Sequence, residues 1–178
     1  MGTGRSQKGV MLTEAAAVLA VIAVLTATAA PAMRGWVDRQ RLRGSADTLR
    51  ADLQQLRSQA VQRGQTLWLT VHHDRGGSCY VTHSGPRDAC RCHSAQVEAT
   101  CDDTGQALKV VRLGSDQPVR LTSSSAALAF EPLRGIATPA ASYQLSLPSG
   151  EAVHQVVSVM GRVRSCTPKG LMPGLPVC

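Results

Sequence analysis

Aromatic side chains are scarce in this chain of 178 residues, which holds one Phe, two Trp and two Tyr. None lies beyond Tyr143. A platform that stacks nucleic-acid bases needs such rings, so that mode of recognition is excluded for the C-terminal part. Acids are missing there too: no Asp or Glu follows Glu151, while Arg162, Arg164 and Lys169 do. Between Ala15 and Met33 there is no charge at all. Catalytic signatures are also absent. The chain has no Walker-type glycine loop, dinucleotide motif, nucleophile elbow or metalloprotease helix. No internal repeat is present. The expectation is a non-enzyme without a cofactor.

The uncharged run is what stands out instead. It has about the length needed to cross a hydrocarbon core of roughly 30 Å. A short charged leader ending in Lys8-Gly9 precedes it, and Glu14 sits near its start. A carboxylate at the centre of such a segment costs roughly 2.5–3.5 kcal/mol, so Glu14 asks for a partner. An unbroken apolar region is the mark of an ordinary secretory signal, and Glu14 interrupts this one. Ala27-Thr28-Ala29 is a small-residue site that keeps the signal-peptide alternative open.

Lys8-Gly9 followed by Val10-Met11-Leu12-Thr13-Glu14 resembles the N-terminus of type IV pilins and pseudopilins. The resemblance implies cleavage by a prepilin peptidase between Gly9 and Val10 and N-methylation of Val10. It also implies a role for Glu14 in filament assembly, neutralising the terminal amine of a neighbouring subunit. Leu12, Glu14 and Pro31 fit that family. Val10 stands where Phe is usual, and Thr13 and Ala15 stand where larger aliphatic residues are usual.

The segment beyond the run is long enough for one soluble domain. Its six cysteines are Cys79, Cys90, Cys92, Cys101, Cys166 and Cys178. An even number beyond an apolar anchor points to an oxidising compartment and to disulfides. Proximity favours Cys166 with Cys178. Cys90 and Cys92 are too close to pair easily, so each joins Cys79 or Cys101. His72, His73, His83 and His93 lie near three of these cysteines, but no Cys-x-x-Cys spacing supports a zinc site, and none is expected. The net charge is +7, which suits nucleic acid or an anionic surface without choosing between them. Arg34, Arg39, Arg41 and Arg43 follow the run, against Arg5 and Lys8 before it. By the positive-inside rule this imbalance argues for the opposite orientation. The leader and the cysteines place the C-terminal domain in the periplasm.

Leu42, Ala46, Leu49, Leu53, Leu56 and Ala60 recur at spacings of four and three, which is one face of a helix. This predicts a single helix from about Met11 to Arg63, with Gly64 as its C-cap. Predicted strands follow at 66–71, 79–82, 108–113, 119–121, 127–130, 143–147 and 153–159, with a turn at Pro148-Ser149-Gly150. Residues 83–105 show no period and read as a disulfide-tied loop. The fold class is α+β: a pilin fold with a long N-terminal helix packed on antiparallel sheet. Expected boundaries are a leader at 1–9, a transmembrane or filament-core helix at 10–33, an amphipathic continuation at 34–63 and a β-rich domain at 64–178.

Three further stretches resemble the GspH/FimT family of minor pilins. Ala51 to Val71 resembles its helix-to-first-strand region, in which a run like Ser58 to Gly64 precedes the strand. Phe130-Glu131-Pro132-Leu133-Arg134-Gly135 resembles its Phe-x-Pro-x-Gly turn, with Arg134 as an extra residue. Val159 to Cys166 resembles its terminal strand. Within that strand, Gly161-Arg162-Val163-Arg164 resembles the element by which FimT-type minor pilins of competence filaments bind DNA. Arginines two apart on a strand point to one face, and their planar forks suit phosphate. The plain alternative is a solvated edge strand whose charges block pairing with another edge. Gly161, Arg162, Arg164 and Lys169 are the expected DNA-binding residues, through phosphates and without sequence preference. The resemblance implies these partners: other pilins in a filament, the prepilin peptidase, the inner membrane and double-stranded DNA. It implies a single-pass inner-membrane protein that later joins a pilus at the cell surface and serves natural transformation. The alternatives are a structural GspH-like pseudopilin of type II secretion and a minor pilin that only primes assembly.

Overall fold

The structure is a computed structural model that describes residues 12–168 and 172–178, with the backbone alone at 28–32. Gly9, Val10 and Lys169 therefore lie outside the described residues. Helix α1 runs from Leu12 to Arg63. Gly64 ends it at φ 62°. The Gly64 N–H donates to the Val61 carbonyl (3.4 Å) and the Gln65 N–H to the Ala60 carbonyl (3.2 Å). These two bonds form a Schellman cap, which only a left-handed residue closes without strain.

The chain divides into two compact units, with the boundary between Val37 and Asp38. In the first unit Leu12, Val18, Leu19 and Ile22 are exposed, as is Glu14. Among the described residues no helix is long and apolar enough to cross a membrane. The span expected over residues 10–33 includes positions outside that description.

The second unit holds the rest of α1 and eleven strands. They are β1 (Leu67–Asp74), β2 (Gly77–Ser84), β3 (Cys90–Arg91), β4 (Thr100–Cys101), β5 (Gln106–Gly114) and β6 (Arg120–Ser123), then β7 (Ala127–Phe130), β8 (Ala137–Thr138), β9 (Ala141–Ser146), β10 (Ala152–Val157) and β11 (Val163–Cys166). They form a five-stranded sheet of order β5-β2-β1-β7-β8 and a four-stranded sheet of order β11-β10-β9-β6. The small hairpin β3-β4 stands apart. All the ladders between named strands are antiparallel.

The apolar stripe of α1 is the centre of the core. Leu42, Leu49, Leu53 and Ala60 are fully buried, and Ala46 and Leu56 nearly so. They meet Leu67, Leu69, Leu128 and Phe130 of the five-stranded sheet and Leu121, Tyr143, Leu145 and Val153 of the four-stranded one. Each leucine buried this way contributes about 1.5–3 kcal/mol. Three polar contacts help fix the helix among these apolar ones. Buried Asp52 accepts from the Tyr80 hydroxyl (2.7 Å) and from Lys109 Nζ (2.6 Å). Buried Gln155 donates to the Ala46 carbonyl (3.0 Å).

The region expected to be a disulfide-tied loop carries those ties and is built as a small lobe. Its hairpin β3-β4 is closed by Cys90–Cys101, and Cys79–Cys92 staples it to β2. Cys79, Val81, Cys90 and Cys92 form a second, smaller apolar cluster beneath it. The third disulfide is Cys166–Cys178. Inside its loop Met172 is buried in the main core, and Arg43 donates to the Pro173 carbonyl (2.9 Å). The predicted terminal strand starts later than its apolar pattern suggests. Residues 158–162 turn the chain, and the last hairpin is β10-β11 rather than β9-β10.

Candidate nucleic-acid interface

The turn joining β10 to β11 is built on Gly161. Its φ is 71°, a region that side-chain-bearing residues rarely enter. Its N–H donates to the Ser158 carbonyl (2.8 Å). A Cβ added there would lie 2.2 Å from the Gly135 carbonyl oxygen and 2.8 Å from Arg57 Nε. Gly135, at φ 62°, ends the turn that follows β7. Arg57 Nε on α1 donates to the Gly135 oxygen (3.0 Å). The Ala137 N–H donates to the Val159 carbonyl (2.8 Å). Helix, β7–β8 turn and β10–β11 turn are thereby laced at one point. The space beside Gly161 is filled by protein backbone, so its glycine is required by packing rather than by close approach of a ligand.

Beyond Gly161 the antiparallel ladder has already begun. The Ser158 N–H donates to the Arg162 carbonyl (3.1 Å), and Val157 then pairs with Val163 and Val156 with Arg164. Alternation follows from this register. Val163 packs into the core, while Arg162 and Arg164 on either side of it are exposed. Arg162 thus lies just before β11 rather than within it, yet shares its outward parity. Neither guanidinium is in an ion pair among the described residues, where the pairs are Arg39–Glu151, Arg41–Asp38 and Lys109–Asp52. β11 is an edge strand, and Cys166–Cys178 ties down its far end.

The other candidate residues fall elsewhere. Glu14 is exposed on α1 in the first unit. Cys79, Cys90, Cys92 and Cys101 serve the lobe. His72 and His83 project from the outer face of the five-stranded sheet beneath that lobe, and each has a buried Nε2 without a hydrogen-bond partner. Among the described residues no group of three or more His, Cys, Asp or Glu side chains could hold a metal ion. A cavity of about 540 Å³ between α1 and β5 is lined by Arg41, Thr48, Tyr80 and Arg112, well apart from the arginine edge. Sequence reasoning read Gly135 as the glycine of a turn, which it is, but missed Arg57 and Asp52. Arg57 lies off the leucine stripe, which is a faint signal. Asp52 has none, because its partners come from β2 and β5.

A helix laid on antiparallel sheets, with short strands and disulfide ties, gives the chain a pilin-like fold. Its fold matches the type IV minor pilin FimU of Pseudomonas aeruginosa PAO1 in two crystal forms. In space group P21 the TM-score is 0.51 at 15% identity, over 75% of this chain and 97% of that one. In space group P65 the TM-score is 0.51 at 17% identity, over 72% of this chain and 98% of that one. The minor pseudopilin EpsH from the type 2 secretion system of Vibrio cholerae matches with a TM-score of 0.47 at 15% identity, over 72% and 98%. No curated protein sequence matches the chain. The family described as type II transport protein GspH matches residues 45–161, and the chain belongs to that family. Arg162 and Arg164 lie just past the matched residues.

Proposed function

We propose that this minor pilin joins a filament and captures duplex DNA, without regard to sequence, through Arg162 and Arg164, in the service of DNA uptake. One observation carries the reading: two exposed guanidiniums, in no ion pair among the described residues, share the outward side of an edge strand, with buried Val163 between them. Each phosphate they neutralise releases counterions and contributes a salt slope of about −0.9. Two such contacts bind weakly. Repetition along a filament raises the effective affinity without any new contact.

The N-terminal proposal accompanies it. Cleavage follows Gly9, Val10 becomes the methylated terminus, and Glu14 pairs with a neighbouring subunit's amine while the apolar helix sits in the inner membrane or the filament core. An intact-mass measurement that finds the leader still attached would refute it.

The test of DNA capture is a titration of the full chain in detergent with labelled random-sequence duplex, at low and moderate salt. The variant is Arg162→Ala/Arg164→Ala. Binding should fall with salt and be lost in the folded variant. Equal binding by wild type and variant would sink the reading. It would leave a structural pseudopilin of type II secretion or an assembly-priming subunit. The packing of Gly161 against Gly135 favours that second reading, because it explains the glycine by the fold alone.

A further inference from the structure

The outer face of the four-stranded sheet carries no acid. Its strands read Arg-Leu-Thr-Ser, Ala-Ser-Tyr-Gln-Leu-Ser, Ala-Val-His-Gln-Val-Val and Val-Arg-Ser-Cys, without one Asp or Glu. Register sets which of these residues point outward. Arg120 pairs with Ser146 and Thr122 with Gln144. Gln144 pairs in turn with His154, and Ser142 with Val156. Val156 pairs with Arg164. The intervening Leu121, Tyr143, Leu145, Val153, Val157 and Val163 are in the core. By alternation Arg120, Thr122, Gln144 and His154 therefore share the face of Arg164 and Arg162. Arg120 and Thr122 are exposed on β6, the opposite edge from β11.

Arg120 makes no ion pair among the described residues. The cleft beside β6 is also lined by Asp74 and Arg75 of the β1–β2 turn. The Asp74 carboxylate is already engaged by the N–H and hydroxyl of Ser94 and by the Gly76 N–H. Arg120 stands three strands across and four residues along from Arg164. That separation is roughly 20 Å at ordinary sheet spacings, wider than the major groove at about 12 Å.

Resting on the DNA reading above, we propose that the duplex lies across this face. Arg162 and Arg164 meet phosphates at the β11 edge. Arg120 meets a phosphate on the far side of the groove, and Thr122 and Gln144 present uncharged hydrogen-bonding groups between them. The binding site is then the whole sheet face, with β6 as its second charged border.

The same titration of the full chain with labelled duplex tests this. Arg120→Ala should weaken binding severalfold and reduce the magnitude of the salt slope by about 0.9. Thr122→Asp, which places a carboxylate in the middle of the face, should abolish binding at moderate salt. Both variants change exposed side chains, and thermal melting should match wild type. Arg50→Ala, on the exposed side of α1, should leave affinity and slope unchanged. If the Arg162/Arg164 double variant loses binding while Arg120→Ala and Thr122→Asp bind as wild type does, the track across the sheet is overturned and capture at the β11 edge stands. If the double variant itself binds as wild type does, DNA capture falls and this inference with it.

Discussion

The five-stranded and four-stranded sheets pack their inner faces into one core under α1, but their outer faces differ. Over β1 and β2 the chain spends residues 85–105 on a cover, sewn down by Cys79–Cys92 and held in shape by Cys90–Cys101. As a result six consecutive residues of β2, Ser78 to His83, are buried. Among the described residues no comparable lobe lies over β9 and β10, although Ala152 and the His154 Nε2 on β10 are buried. The outward residues are mostly small or polar, with Val156 among them, and arginines stand at both borders. Leaving a sheet face bare gives up the burial that the lobe provides. A small domain with a limited core has reason to cover every face it can. The face free of carboxylates is the one that the proposed DNA track uses.

Removing the staple is the harshest way to break this contrast. Cys79→Ser/Cys92→Ser should lower the free energy of unfolding by about 2–5 kcal/mol, the usual loss for a native disulfide in a small secreted domain. Urea melts monitored by tryptophan fluorescence would measure it. The damage should concentrate on the covered side, so hydrogen exchange should speed up in β2 and the lobe before β9 and β10. An unchanged midpoint would mean that the lobe is held by its apolar contacts alone.

A smaller effect is expected from Gly161→Ala, which asks whether the bare side is as soft as it looks. Surface substitutions are usually cheap. Here the alanine would sit at φ 71° with its Cβ 2.2 Å from the Gly135 oxygen. A strained left-handed residue costs about 1–3 kcal/mol, and the backbone clash adds to it. Thermal melting should show a clear drop for Gly161→Ala beside near-neutral Arg162→Ala. If both variants melt alike, the lacing of Arg57, Gly135 and Gly161 contributes nothing to the fold.

The two sides were not equally legible in the sequence. The leucine stripe of α1, its Gly64 cap and the α+β class follow from local periodicity and from one glycine, and the structure has all three. The disulfide partners of Cys90 and Cys92 were narrowed to Cys79 or Cys101 by spacing. Only the fold resolves them, because the order in which a hairpin meets a sheet is a long-range property. The lobe's role as a cover was invisible for the same reason. Nothing local in residues 85–105 says what lies beneath them. At the arginines the alternation around Val163 was readable, but the start of the strand was not. In the sequence Gly161 permits either a backbone turn or the close approach of a ligand, and its positive φ turns the chain there. The acid-free face was written in four separated segments, and only their register joins Arg120 to Arg164.

The mildest test of the contrast is pH, and it acts on the covered side. Burial beneath the lobe lowers the pKa of both His72 and His83 from the ordinary 6.5. For His72 the charge of Arg91 adds to the effect, with weaker contributions from His93 and His83, while a hydrogen bond with the Cys90 backbone opposes it. For His83 the Ser84 carbonyl, Asp102 and Asp88 oppose burial without reversing it. A lowered pKa means that the folded protein holds these rings neutral where the unfolded chain would protonate them. The unfolded state then binds more protons, so stability falls as pH drops below about 6.5 and continues to fall until the folded-state pKa values are passed. Above that range neither ring distinguishes the two states. Urea midpoints taken from neutral pH downward should therefore decline gradually, and His83→Gln/His72→Gln should flatten the decline. Hydrogen exchange should rise first in the lobe, with the sheet beneath Arg162 and Arg164 still protected. A decline of equal slope in the double variant would assign the acid sensitivity to carboxylates whose pKa is lowered: Glu151, held down first by the Ser149 hydroxyl and then by Arg39, and, on the lobe side, Asp74 and Asp102, held down by Ser94 and Thr104.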